Sequence, residues 1–265
     1  MESCITFKNL SIGYRSKHQL RAIASAVSAS LQPGELTCLI GANGVGKSTL
    51  LRTLCGFQPA LDGEIFLQDQ PLSAYPAQQL ARQIGVVLTS RVDVPQLSVR
   101  EIVGIGRSPY TNFWGTLTPA DQQIVDEAIH QVGIPHLAQR NISELSDGER
   151  QKTMIAKALA QQTRIIILDE PTAFLDFPSK VETLQMLCRL AHEQHKAILL
   201  STHDVELALQ LADSLWLMEP GHLSIGTPRE LSQAGSLSRF IERDGIRYDK
   251  ENMKIEILPS FGHQP

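Results

Sequence analysis

The run Gly41-Ala42-Asn43-Gly44-Val45-Gly46-Lys47-Ser48-Thr49 has the form G-x-x-x-x-G-K-[ST]. Residues of these types at this spacing cradle phosphate. Glycines let backbone N–H groups turn inward around an anion. Lys47 brings a mobile positive charge to the β- and γ-phosphates of a nucleoside triphosphate, and the Ser48 hydroxyl reaches a bound Mg²⁺. A second run, Ile165-Ile166-Ile167-Leu168-Asp169-Glu170, ends an apolar stretch on two carboxylates. Burying such a pair is costly unless a cation or a hydrogen-bonding group stands opposite. Mg²⁺ and a nucleophilic water supply that, with Asp169 in the metal's water shell and Glu170 as the base that polarises the water. By itself the pair also reads as a solvated acidic turn. A third run, Leu200-Ser201-Thr202-His203-Asp204, puts a group that titrates near neutrality after another apolar stretch. His203 could bond a γ-phosphate there, although a single histidine in such a place is more often a bystander.

These groups need strands beneath them. Residues 36–40 are a short apolar run before the glycine-rich loop, and 50–54 continue after it as a helix. Strand, loop and helix in that order aim the helix N-terminus at the phosphate. Residues 165–168 and 197–200 are apolar runs of strand length separated by a helical stretch over 178–194. Strand, helix, strand at this spacing predicts a parallel sheet. Residues 5–40 read as strands and turns, Asp62-Gly63 as a hairpin signal, and 84–88 as a buried strand. Between about 89 and 145 the pattern turns helical and is punctuated by Pro95, Pro109, Pro119 and Pro135. Thr118-Pro119 starts the clearest of these helices, a capping residue followed by proline at the first position. From about 236 the chain reads as a helix and a hairpin.

Composition narrows the class. The chain has 265 residues, 42% of them hydrophobic and 20% charged, enough for one large domain and unlike a disordered segment. Net charge is −4 with no long basic run, so no nucleic-acid groove is expected. Four cysteines show no metal spacing and suit a reducing compartment. No run approaches the roughly 18 apolar residues of a membrane span, and the opening Met1-Glu2-Ser3-Cys4 does not read as a signal peptide. Any membrane role must come through a partner.

Leu145-Ser146-Asp147-Gly148-Glu149-Arg150-Gln151 has a plain reading as a capped helix, with Ser146 and Glu149 in an S-x-x-E box. A resemblance adds to it. Over about residues 5–227 the chain resembles the nucleotide-binding subunit of an ATP-binding-cassette transporter, its motifs falling in the family's order. The resemblance implies an α/β P-loop cassette over 1–235. It would have a mainly parallel core, an N-terminal antiparallel β lobe and a helical lobe inserted at about 89–160, with a C-terminal extension over 236–265. Tyr14 falls at the position that stacks on adenine. Residues 145–151 resemble the signature L-S-G-G-Q. Asp176 falls in the loop that crosses a dimer interface, and His203 at the switch histidine. In that family two copies pack head to tail. The resemblance therefore implies that Ser146, Gly148, Glu149 and Asp176 act in trans on ATP held by the other copy.

Three positions depart from the pattern. Asp147 and Glu149 stand where the signature has Gly and Gln, and Ser90 where a metal-contacting Gln is expected. Ser90 can bind a metal-bound water, but its side chain is shorter than Gln. The stretch Gly106-Arg107-Ser108-Pro109-Tyr110 resembles importers of iron siderophores, haem and vitamin B12. That branch implies separate membrane permease subunits, an extracytoplasmic binding protein, and a place at the cytoplasmic face of the membrane. The permease is expected to dock over about 90–115, with Arg107 and Tyr110 in the contact. The competing reading is a soluble cassette ATPase of iron–sulfur assembly or another non-transport task.

Overall fold

A computed structural model describes residues 3–15, 20–88 and 96–258. The chain begins with strands β1 (Ile5–Arg15), β2 (Leu20–Leu31) and β3 (Leu36–Gly41), then helix α1 (Lys47–Leu54), strands β4 (Asp62–Leu67) and β5 (Gln70–Pro71), helix α2 (Ala77–Leu80) and strand β6 (Ile84–Val87). A helical stretch follows: α3 (Val99–Gly104), a 3-10 segment (Ile105–Tyr110), α4 (Pro119–Gln131) and α5 (Asp147–Ala160). Then come β7 (Ile165–Leu168), α6 (Phe177–Gln194), β8 (Ala197–Thr202), α7 (Val205–Leu211), β9 (Ser214–Glu219) and β10 (His222–Gly226). Helices α8 (Pro228–Gln233) and α9 (Ser236–Ile241) and the hairpin β11 (Ile246–Asp249) and β12 (Lys254–Ile257) close the described chain.

A six-stranded sheet in the order β10-β9-β3-β8-β7-β6 is the core, parallel except for its β10 edge. Its central strands are apolar on both faces, as a sheet covered on both sides requires. Their period of two divides them cleanly. Leu36, Cys38, Ile40, Ile166, Leu168, Ile198 and Leu200 join a cluster with α5, α6 and the helical stretch. Leu39, Ile165, Ile167, Leu199 and Trp216 face the other way, onto α1 and a four-stranded antiparallel sheet ordered β2-β1-β4-β5. Phe7 of β1 meets Trp216 of β9 edge to face at 5.5 Å. Such a pair adds about 0.5–1.5 kcal/mol to the burial of its rings.

Register sets what stands beside what. Leu168 pairs with Leu200, and Ile40 with Thr202. The carboxyl ends of these strands therefore converge at one edge: the loop after Gly41, the Asp169–Glu170 pair after β7, and the end of β8 from Ser201 to His203. Ligands of open α/β sheets bind outside the carboxyl ends of the strands, and this is that edge.

The hairpin expected at Asp62-Gly63 lies elsewhere. Those two residues open β4, which pairs with β1. The tight turn is Gln68-Asp69, with φ of 50° and 64°, joining β4 to β5. Both central residues adopt left-handed backbone without the Asn-Gly signal that normally marks such a turn. Thr118 does cap α4, accepting a hydrogen bond from the Asp121 amide.

Candidate functional site

The glycine-rich loop joins β3 to α1. Gly46 has φ of 116°, and a Cβ there would lie 2.3 Å from Ile23 Cγ2, so only glycine fits. Gly44 has φ of 76° with open space around it. Val45 is buried beneath the loop, and Asn43 and Gly44 are exposed. Lys47 folds back along the loop, donating to Gly41 O at 2.9 Å and Ala42 O at 3.3 Å. Burial lowers the pKa of this ammonium, and the Glu170 and Asp169 carboxylates pull it the other way. Thr49 Oγ1 lies 3.1 Å from the hydroxyl of Tyr14, whose half-exposed ring thus stands over the start of α1.

The acidic pair and the histidine meet this loop. Ser48 Oγ donates to Asp169 Oδ1 at 3.1 Å. Ser201, wholly buried on β8, donates to the same oxygen at 2.8 Å and accepts from the Glu170 amide at 2.9 Å. Two hydroxyls thus offset the cost of burying Asp169. Glu170 sits in left-handed backbone, φ 50°, a conformation costly for a residue with a Cβ. Its Oε1 lies 2.6 Å from His203 Nε2, and the same nitrogen is 3.4 Å from Lys47 Nζ. An ionised carboxylate only accepts, so a bond to Glu170 puts the imidazole proton on Nε2. Ser201 lies in the third run, where only His203 has an expected role, and its one signal is a hydroxyl residue at the end of an apolar strand.

The donor set suits a hard divalent cation. Ser48 Oγ and Asp169 Oδ1 are both oxygens, neutral and anionic, within 3.1 Å of each other at the loop that would hold phosphate. Ser90 lies outside the described residues. Among the described residues no group of three or more His, Cys, Asp or Glu side chains could hold a metal by itself.

Ser146, Gly148, Glu149 and Asp176 form a separate group. Ser146 caps α5 in a complete capping box: Ser146 Oγ accepts from the Glu149 amide, and Glu149 Oε2 accepts from the Ser146 amide at 2.9 Å. Those bonds from Ser146 hold the Glu149 carboxyl below the usual carboxylate range. Asp176 caps α6, accepting from the Ser179 amide at 3.1 Å, and its pKa is lowered in the same way. The two caps are neighbours, because a Cβ on Gly148 would rest 3.7 Å from Leu175 Cδ2 and 3.9 Å from Ser179 Oγ.

Arg107 departs from its expected place on a docking surface. It is 5% exposed, bonds Asp121 at 2.9 Å, and donates to Ala160 O at 2.8 Å and Gln162 Oε1 at 3.1 Å. It closes the C-terminus of α5, where a cation is favoured. Gly106 beside it has no room for a Cβ, which would fall 2.2 Å from Lys157 O. The Gly106-to-Tyr110 stretch is thus a packing device first.

A family model described as ABC transporter matches residues 24–173. An uncharacterized ABC transporter ATP-binding protein of Methanocaldococcus jannaschii is 41% identical over 92% of this chain and 83% of its own. This chain belongs to the ABC transporter family. The ferric enterobactin transport ATP-binding protein of Escherichia coli K12 is 32% identical over 88% of this chain and 85% of its own. Among solved structures, an inward-facing ABC transporter assigned to the metal-chelate type aligns at TM-score 0.79 and 27% identity, covering 98% of both chains. The chain is therefore an ABC ATPase, which binds ATP and hydrolyses it for transport. ATPase subunits of such importers work as dimers with membrane permeases. Among the described residues no helix is long and apolar enough to cross a membrane.

Proposed function

We propose that this ATPase energises uptake of an iron chelate, haem or corrinoid through a separate permease at the cytoplasmic face of the membrane. An extracytoplasmic binding protein would deliver the cargo. The observation that carries the reading is the meeting of Lys47, Ser48, Asp169, Glu170 and His203 at one sheet edge, in a chain similar to an enterobactin transport subunit. The Gly106-to-Tyr110 resemblance points to the same group of cargoes.

The roles follow from the chemistry. The loop amides of 43–49 and Lys47 hold the phosphates, and Tyr14 stacks on the base. Ser48 and Asp169 would hold Mg²⁺, with Ser90 a further candidate. The ion would neutralise phosphate charge. Glu170 accepts the proton of the attacking water. His203 holds the Glu170 carboxylate in place through Nε2 and is the candidate to bond the γ-phosphate with that N–H once ATP is present. Ser201 fixes the backbone between Asp169 and Glu170. Ser146 and Gly148, at the N-terminus of α5, offer donors to an anion that belongs to a second copy, with Glu149 and Asp176 beside them.

Uptake assays test the reading. A strain lacking this chain should lose accumulation of labelled ferric siderophore, haem or cobalamin and recover it with the wild-type chain. Normal uptake of all of these would reject the cargo class. Affinity purification from membranes should also bring down a polytopic permease, and recovery of soluble assembly factors alone would reject transport.

A further inference from the structure

The strongest unassigned arrangement joins the sheet core to the helical stretch. On the core side stand Gln78 of α2 and Arg82 just after it. On the other side the carbonyl of Pro109 accepts three bonds, from Arg82 Nε at 3.0 Å, Arg82 Nη2 at 2.8 Å and Gln78 Nε2 at 3.2 Å. The Tyr110 ring lies 5.0 Å from the Arg82 guanidinium and 4.1 Å from that of Arg107. Its hydroxyl donates to Gln161 O at 3.1 Å. Gln161 in turn donates its side-chain amide to Ile84 O at 3.2 Å and to Ala81 O.

The two guanidiniums play different parts. Arg107 is buried and fixed by Asp121, Ala160 and Gln162, so it moves with the helices. Arg82 belongs to the core and is exposed. Contacts of an exposed guanidinium with a ring or a carbonyl are individually weak. They can hold a joint without welding it.

The joint sits at one end of a lever. Gln161 is the C-terminal cap of α5, and Ser146 is its N-terminal cap. Fourteen helical residues separate the two ends, a rod of about 21 Å. A rotation of about 5° at the joint moves Ser146 by about 2 Å. A hydrogen bond is lost over a fraction of that distance.

We propose that Arg82 and Tyr110 are positioning residues for ATP hydrolysis, setting the angle of α5 and so the alignment of Ser146 and Gly148 with ATP on a second copy. They touch no reacting atom and act through the helix. The proposal rests on the shared-site reading given above, and the test separates the two.

The background is Glu170→Gln, in which ATP should drive a stable dimer that size-exclusion chromatography resolves. Adding Arg82→Met or Tyr110→Ala should raise the ATP concentration needed for half-dimerisation about five- to tenfold. Nucleotide affinity of the monomer, read with a fluorescent ATP analogue, should stay unchanged. Tyr110→Phe, which keeps the ring between the guanidiniums, should behave nearly as the parent. With Glu170 intact, Arg82→Met should lower kcat and raise the apparent KM for ATP hydrolysis, which needs the dimer, while the monomer's affinity for the fluorescent analogue stays in place. If Glu170→Gln alone fails to dimerise with ATP, the shared-site reading falls and the proposal with it. If Glu170→Gln dimerises and Arg82→Met and Tyr110→Ala leave its ATP dependence unmoved, the shared site stands and the proposal is overturned. Because Arg82 is exposed, its variant tests the idea even if Tyr110→Ala unfolds.

Discussion

His203 Nε2 stands 2.6 Å from Glu170 Oε1, and the two residues follow neighbouring parallel strands of the core sheet. The pairing joins a carboxylate that can take a proton to a ring that can hold it in place. It is made possible by register: Leu168 and Leu200 are paired, so the residues after each strand emerge side by side.

Glu170→Gln keeps the size of this side chain and removes its basicity. Turnover should fall by about 10²–10⁴ while ATP binding persists. Steady-state phosphate release and equilibrium nucleotide binding, measured on the same preparation, check this. Hydrolysis within a few-fold of wild type would remove Glu170 from the role of base.

Ser201→Ala tests the hydroxyl beneath the pair. The substitution takes a donor from the buried Asp169 and leaves the part-buried Glu170 amide without its side-chain acceptor. An unsatisfied buried group costs about 1–3 kcal/mol. Urea unfolding should show a loss of that size, together with a lower kcat. A variant of unchanged stability and rate would mean that other groups already satisfy both atoms.

Sequence patterns conveyed much of this site and less of its surroundings. The phosphate loop, the acidic strand end and His203 each sit where a strand-ending pattern puts them, because apolar runs of strand length are hard to misread. Ser201 could not be singled out, since its importance lies in which strand is its neighbour, a long-range fact. The burial of Arg107 is hidden from the sequence for a related reason. In the sequence it is a charged residue in a proline-broken loop, which reads as surface. In the fold, Asp121 and the carbonyl of Ala160 converge on it from two other helices and make burial affordable. The Gln68-Asp69 turn has no sequence signal because neither residue is glycine or asparagine.

The Arg107–Asp121 pair carries a pH dependence. Bonds from Thr118 and Arg107 hold the Asp121 carboxyl below the usual carboxylate range. Stabilisation from such a group is complete above its unfolded pKa, about 3.9, and is lost as pH falls through the lowered folded value. Asp121→Asn leaves the buried Arg107 without its counter-charge and should cost about 3–5 kcal/mol near neutrality. Thermal unfolding of both proteins from pH 7 down to 3 should show the gap narrowing only at the acid end. A constant gap would mean that charge is not its source.

Gly148→Ala separates demands made within one chain from demands made between two. Inside the chain the added methyl meets only ordinary contacts, with Leu175 and Ser179 at 3.7 and 3.9 Å. Alanine is the better helix former, so stability should hold or rise by up to about 1 kcal/mol. If the amide end of α5 must approach a phosphate on a second copy, hydrolysis should nevertheless fall by at least about tenfold. Lys47→Ala should abolish activity by disabling the phosphate loop itself. Mixing the two inactive variants assembles heterodimers in which one site has both its intact loop and its intact signature. Phosphate release from the mixture should then exceed that of either variant alone. A mixture as inactive as its components would argue that Gly148 serves ATP bound to its own chain.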